Sequence, residues 1–474
     1  MPTKISRFYV EALHGAWSVD VPIEDNKLIL VGENGSGKTT IANLLFYFLS
    51  CQWGRLAGYN FESLKLTVSD EEITLKKDDL AFVRQMAPRF WRHFGPEKST
   101  MLLTALSKKE PFEFLHSREM FHLTEELRMS PSMLQEIILS GKHAPESLAE
   151  IAKINERLNT IFQDQILYLP TYRRIEHDLS SIFPEIEEEI RKHQERSRRQ
   201  HAHRHHNYIE LVEFGMKDVD TLISEKMGEL KDHWRTGLSK LTGTYLREVI
   251  RGAYTVDINR IKAIPPEAVD LMLSRIEEQI LPVQEKAKVR STVGEIKSKT
   301  SITTQENVVA HFLHKLIELH EDQQLKEKKI RNFVAVCNDY FPDKSIVFDN
   351  VNFTISIRAR NRTTLVKGQA KPKKKHEPQS SELTMQMLSS GEKQIVSLFS
   401  HIFLSGHTGY IVLIDEPELS LSVPWQKKFL VDILRTGYCS ALFAVTHSPF
   451  IYENELDNYA RSVEEFRRAL NEVR

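Results

Sequence analysis

LSSGEKQIVSLFSHIFLSGHTGYIVLIDEPELSL, residues 388–421, divides into two parts with different periods. In the first, Ser389 stands three residues before Glu392 and just ahead of KQIVSLFSHIFL, which is apolar on one side. That spacing predicts a capping box, with Ser389 as N-cap of a helix. The N-terminus of this helix presents Ser390 and Gly391 with free N–H groups, an arrangement suited to an anion. In the second part, Tyr410–Ile414 is an unbroken apolar run that ends in two carboxylates, Asp415 and Glu416. An apolar run of this length predicts a strand buried on both faces. A capped helix alone is an ordinary structural feature, so its meaning depends on the rest of the chain.

The partner of this stretch lies near the N-terminus. KLILV leads into Gly32-Glu33-Asn34-Gly35-Ser36-Gly37-Lys38-Thr39-Thr40, and IANLLFYFL follows. Strand, glycine-rich loop and buried helix come in that order, and Gly32, Gly37, Lys38 and Thr39 fill the pattern GxxxxGK[ST]. The glycines let the N–H groups of Asn34, Gly35, Ser36, Gly37, Thr39 and Thr40 turn toward phosphate oxygens. Lys38 is expected to reach the β- and γ-phosphates of ATP, and the Thr39 hydroxyl to hold Mg²⁺. With a P-loop in the chain, Asp415 reads as the second Mg²⁺ holder and Glu416 as the group that positions or deprotonates the attacking water. A last apolar strand, ALFAV, ends at Thr446-His447-Ser448-Pro449. It places His447 at the ligand-binding edge of an open sheet as a γ-phosphate sensor.

The bulk properties narrow the class. A length of 474 residues exceeds one compact core and predicts two or three lobes. Lys and Arg (64) balance Asp and Glu (65), so no global basic field draws in nucleic acid. Cys51, Cys337 and Cys439 are far apart, which fits a reducing cytoplasm and neither a disulfide framework nor a zinc site. MPTKISRFYVEALHG lacks the apolar core of a signal peptide, and no run is long enough to span a membrane.

The expected fold is α/β: a P-loop head with a mixed central sheet, an antiparallel side sheet and a helical insertion. Three parts are predicted. Residues 1–177 form an N-terminal lobe with a hairpin around Ser69-Asp70, then mostly helix over 81–163, and a short strand from Ile166 to Leu169 stopped by Pro170. Residues 178–339 form the helical insertion, whose helices read as too short for a long coiled-coil arm. Residues 340–474 form a C-terminal lobe that begins with a hairpin turning at Asp349-Asn350. Three polar segments stay open in meaning. Arg173-Arg174 faces phosphate or nucleic acid, or else pairs with Glu176 or Asp178. His201, His203, His205 and His206 lie in a solvated loop with no ligand partners at fixed spacing. Lys371, Lys373, Lys374 and Lys375 belong to a linker or to a contact with a phosphate backbone.

GENGSGKTT, LSSGEKQ, IVLIDEPE, ELSLS and VTHSP together resemble the ABC-type ATPases of the structural-maintenance and DNA-repair kind. In that superfamily the signature of one subunit caps the nucleotide on the P-loop of another. The resemblance therefore implies a homodimer, with Ser389, Ser390, Gly391 and Glu392 serving the partner's ATP. Its Q-loop glutamine has no clear counterpart, Gln85 being one candidate. More narrowly, LYLPTYRRIE, VEFGMKDV and DEPELSLSVPWQ resemble the PtuA-type ATPases of Septu and retron anti-phage systems. That likeness implies a companion HNH nuclease, PtuB-like, and in retron versions an RNA–DNA hybrid. The 27 residues from Ser448 to Arg474 leave no room for a Toprim nuclease, so nuclease chemistry is expected in trans. The alternatives are a DNA-repair or chromosome-organising clamp without a nuclease, and a scaffold that holds ATP as a structural ligand.

Overall fold

The computed structural model describes residues 3–85, 145–171, 207–211, 216–252, 258–298, 303–360 and 382–469, together with residue 256 and a few isolated positions between 120 and 135. The Arg173-Arg174 pair, the histidine-rich loop and the Lys371–Lys375 cluster lie outside these residues. The chain forms two compact units, one of residues 1–214 with 407–474, the other of residues 215–406.

In the first unit the strands are β1 (Ile5–Leu13), β2 (Trp17–Pro22), β3 (Lys27–Val31), β4 (Ser63–Val68), β5 (Glu71–Lys76), β6 (Gln165–Leu169) and β7 (Tyr208–Glu210), then β11 (Tyr410–Asp415), β12 (Cys439–Thr446), β13 (Ala460–Ser462) and β14 (Arg467–Ala469). They make two sheets. The central one runs β13-β3-β12-β11-β6-β7, and every described pairing in it is parallel. This corrects the expectation of a mixed central sheet. The reason is visible in its middle strands: Tyr410–Asp415 is buried at every position, as is Gln165–Leu169. Strands this apolar need cover on both faces, which crossover helices supply and hairpins do not. Among the described residues of this unit, antiparallel strand pairing makes the side sheet β14-β2-β1-β4-β5. Its β4–β5 hairpin turns at Ser69 and Asp70, both at positive φ (49° and 70°), the backbone that a two-residue hairpin loop of matching twist requires.

The second unit carries the remaining strands, β8 (Lys344–Asp349), β9 (Thr354–Ala359) and β10 (Glu382–Leu383), in one antiparallel sheet. It holds two long helices. Lys217–Ile250 has 34 residues and Thr304–Tyr340 has 37, about 50 and 55 Å at 1.5 Å per residue. The two run antiparallel. Gln323 donates to the carbonyl of Leu230, and Tyr245 to that of Val308. Residues 340–406 group with these helices in the second unit. Tyr340 packs its ring 6.2 Å from that of Phe399, and His401 lies 3.7 Å from Asp218.

A buried ion pair holds this unit. Arg275 and Glu327 are both fully enclosed and meet at 2.5 Å, and the second oxygen of Glu327 accepts from Arg331 at 2.7 Å. Trp234 and Phe353 flank the Arg275 guanidinium at 5.3 and 5.0 Å. Removing one partner strands a charge in a dry interior, at a cost of about 3–5 kcal/mol. Glu327→Ala should therefore lower the unfolding midpoint sharply in a denaturant titration that follows the helical signal. A midpoint within experimental error of wild type would mean the pair is solvated.

Candidate functional site

Register sets the site. Thr446 stands beside Val31, Asp415 beside Val445, and Leu169 beside Ile414. Four neighbouring parallel strands thus end level, and whatever follows each one lies along a single edge: Gly32 after β3, His447 after β12, Glu416 after β11, Pro170-Thr171 after β6. The carboxyl ends of parallel strands are where open α/β sheets bind ligands.

The glycine loop and its helix come first. The helix Lys38–Leu49 buries Ile41, Leu44, Leu45, Phe46, Phe48 and Leu49, so it is apolar nearly all round and enclosed. Gly37 caps it at φ 94°, and a Cβ there would come within 2.8 Å of the Trp17 ring. Both backbone angle and space require glycine at this position. Lys38 threads back through the loop and donates to the carbonyls of Gly32 (2.7 Å) and Glu33 (2.8 Å). Burial lowers its pKa, against the opposing pull of Glu416, Glu464, Asp415 and Glu418. Asn34, Gly35, Gly37, Lys38, Thr39 and Thr40 line a cavity of about 610 Å³, which Glu416 and His447 also face. Ser36 is buried behind the loop.

Asp415 lies behind Thr39, one of the residues that line this cavity. It is 1 % exposed, and its Oδ1 accepts from the Thr39 hydroxyl at 3.1 Å, joining residues 376 positions apart. Glu416 follows at φ 53°, a left-handed backbone that a non-glycine residue adopts at a cost. Its amide donates to the carbonyl of Val445 at 2.8 Å, which fixes the turn. His447 Nε2 lies 3.1 Å from Glu416 Oε1. Burial, then a hydrogen bond and the charge of Glu418, then Asp415, push the Glu416 carboxyl up to about 8, with Lys38 opposing. A carboxyl poised near neutrality suits a base that must take a proton from water.

Glu418 is the residue the sequence reading passed over. Its Oε1 accepts from the amides of His447 (2.8 Å) and Ser448 (3.1 Å), and its Oε2 from the Thr446 hydroxyl (2.7 Å). One side chain thus holds the whole turn that carries His447. The only signal was its place in DEPE, two residues after Glu416. Trp17 and Arg467 were also missed. Arg467 lies 4.3 Å over the Trp17 ring and both line the cavity. β14 pairs with β2 through three residues, Arg467, Arg468 and Ala469, too few for a periodic pattern.

Ser389, Ser390, Gly391 and Glu392 belong to the second unit. The expected capping box is formed: Ser389 Oγ accepts from the Glu392 amide at 3.4 Å, and Glu392 Oε2 from the Ser389 amide at 2.7 Å. Lys344 of β8 adds an ion pair to Glu392 at 2.6 Å, which neutralises a carboxylate beside an exposed helix N-terminus. The helix Ser390–Leu404 buries Ile395, Val396, Leu398, Phe399, Ile402 and Phe403. Gln85 ends the short helix Ala81–Gln85, and its side chain lies outside the described residues.

The donor set fits ATP with Mg²⁺. Thr39 and Asp415 offer hard oxygens with a single carboxylate between them. Mg²⁺ is held in that manner, through one or two carboxylates plus substrate phosphates. Among the described residues no cluster of three His, Cys, Asp or Glu is built to hold a metal without such help.

A threonine hydroxyl bonded to a strand-end carboxylate, one residue after a lysine that threads its own glycine loop, is the arrangement of a P-loop ATPase. The chain belongs to the family described as AAA ATPase domain, which matches residues 4–452. No curated protein matches it. It is similar to a crystal structure of the Smc head domain with an extended coiled coil, bound to the C-terminal domain of ScpA, from Pyrococcus furiosus. Identity is 12%, the TM-score is 0.34, and 95% of this chain and 92% of that chain are covered. Among the described residues no helix is long and apolar enough to cross a membrane.

Proposed function

We propose that this chain binds and hydrolyses ATP with Mg²⁺, and that two copies close head to tail around it. The observation that carries the reading is the bond between Thr39 and Asp415, flanked by the contact between Glu416 and His447. Lys38 exchanges its loop carbonyls for phosphate oxygens. Thr39 and Asp415 hold Mg²⁺, which when bound neutralises charge on the β- and γ-phosphates. Glu416 orients the attacking water and takes its proton. His447, pinned by Glu418, meets the γ-phosphate. Trp17 and Arg467 give the nucleobase a flat surface at the cavity mouth.

Ser389, Ser390, Gly391 and Glu392 act on the nucleotide of the second copy. Their support is the capped helix start, exposed at Ser389 and Ser390, with the buried Glu392 carboxylate neutralised by Lys344. The test is a mixture. Ser390→Arg and Lys38→Ala chains should each be inactive alone. Mixed, they should regain turnover, because the heterodimer holds one site with an intact P-loop and an intact signature. Mixtures as inactive as the separate variants would sink the shared site.

The downstream role rests on the likeness of LYLPTYRRIE, VEFGMKDV and DEPELSLSVPWQ to PtuA-type proteins. In that reading ATP-driven closure controls an HNH nuclease that acts on nucleic acid in defence against phage, inside the cytoplasm. A mechanical DNA clamp is the second reading, and one observation favours it: the antiparallel helices of 34 and 37 residues are long enough for a short arm. Co-purification of an HNH protein from the native host separates the two.

A further inference from the structure

β6 carries no sequence motif of the site, yet it is the strand next to β11 on the side away from the P-loop strand. It is anchored from below. The ring of Tyr168 stacks on Phe46 of the P-loop helix at 4.2 Å, and its hydroxyl donates to Asn43 of the same helix. Two residues after β6 ends, the Thr171 hydroxyl donates to Oδ2 of Asp415. Thr39 holds Oδ1 of the same carboxylate. Each oxygen of the buried aspartate therefore has a threonine hydroxyl on it, one from each side. Thr171 also lines the 610 Å³ cavity. A second cavity of about 290 Å³, on the β6 side, is bordered by Thr39, Thr171 and Asp415 together.

We propose that Thr171 is a positioning residue of the metal site: its hydroxyl fixes the plane of the Asp415 carboxylate so that Oδ1 and the Thr39 oxygen face Mg²⁺ together. A carboxylate held at one oxygen swings about its Cβ–Cγ bond, and this motion misaims its lone pairs. A donor on the far oxygen removes the swing and leaves the metal-facing oxygen where Thr39 needs it. Partners of this kind contribute about 10- to 100-fold to metal affinity.

The inference rests on Thr39 and Asp415 holding Mg²⁺. The experiment measures affinity for a fluorescent ATP analogue as free Mg²⁺ is varied, and again in EDTA. Thr171→Val and Thr171→Ala should raise the Mg²⁺ concentration for half-saturation about 10- to 100-fold. Affinity in EDTA should be unchanged, and Thr171→Ser should restore the wild-type Mg²⁺ response. Two results overturn the inference alone: wild-type Mg²⁺ dependence in both Val and Ala variants while Asp415→Ala loses it, or an equal loss with and without Mg²⁺, which marks a structural role. If Asp415→Ala itself keeps the wild-type Mg²⁺ response, the metal-site reading falls and the role of Thr171 falls with it.

Discussion

Lys38→Ala is expected to raise the Kd for ATP by at least about 100-fold, since hydrogen bonds to a charged group contribute about 1.5–3 kcal/mol each and Lys38 is proposed to reach two phosphates. Isothermal titration with ATP and Mg²⁺ measures this directly. The side chain is 4 % exposed and already donates to Gly32 and Glu33 carbonyls. On binding, its ammonium is expected to exchange these carbonyls for phosphate oxygens. Truncation also leaves two loop carbonyls without that donor, so a melting curve of the variant belongs beside the titration. A variant that melts as wild type and still binds ATP tightly would remove the P-loop assignment.

Glu416→Gln is expected to behave in the opposite way. Hydrolysis should fall about 10²- to 10⁴-fold, the usual loss when a positioned base is removed, while ATP binding is kept or tightened. Glutamine keeps the size and shape of the Glu416 side chain and removes only its ability to accept a proton from water. The amide also keeps a partner for His447, 3.1 Å away. Loss of the base without loss of the scaffold should trap ATP between two copies. Sedimentation of this variant should shift from monomer to dimer on adding ATP and Mg²⁺. No shift, together with near-normal hydrolysis, would assign the base to another residue.

Much of the site was legible because it is local. GxxxxGKT sets backbone angles and a helix start within nine residues, and Gly37 at φ 94° beside Trp17 shows why no other residue serves there. The capping box of Ser389 and Glu392 is likewise a matter of three-residue spacing, and it forms as read. The buried strands at Tyr410 and Ala441 were plain from continuous apolar runs. The helical spacing of Lys217–Ile250 and Thr304–Tyr340 was legible too, while their antiparallel pairing, which packing decides, was not.

Residue type and near-neighbour spacing thus picked out Lys38, Thr39, Asp415, Glu416 and His447 as candidates, along with the strand and helix starts that present them. What tertiary structure alone decided is which distant groups meet. Parallel register brings Thr446, Asp415 and Leu169 to one edge, and only then do Glu418 and Thr171 acquire a purpose: Glu418 holds the amides of His447 and Ser448, and Thr171 donates to Asp415. The reason is physical. A single hydrogen bond between residues 244 positions apart leaves no periodicity in a sequence, because its partners are set by strand order in the sheet and not by the chain between them.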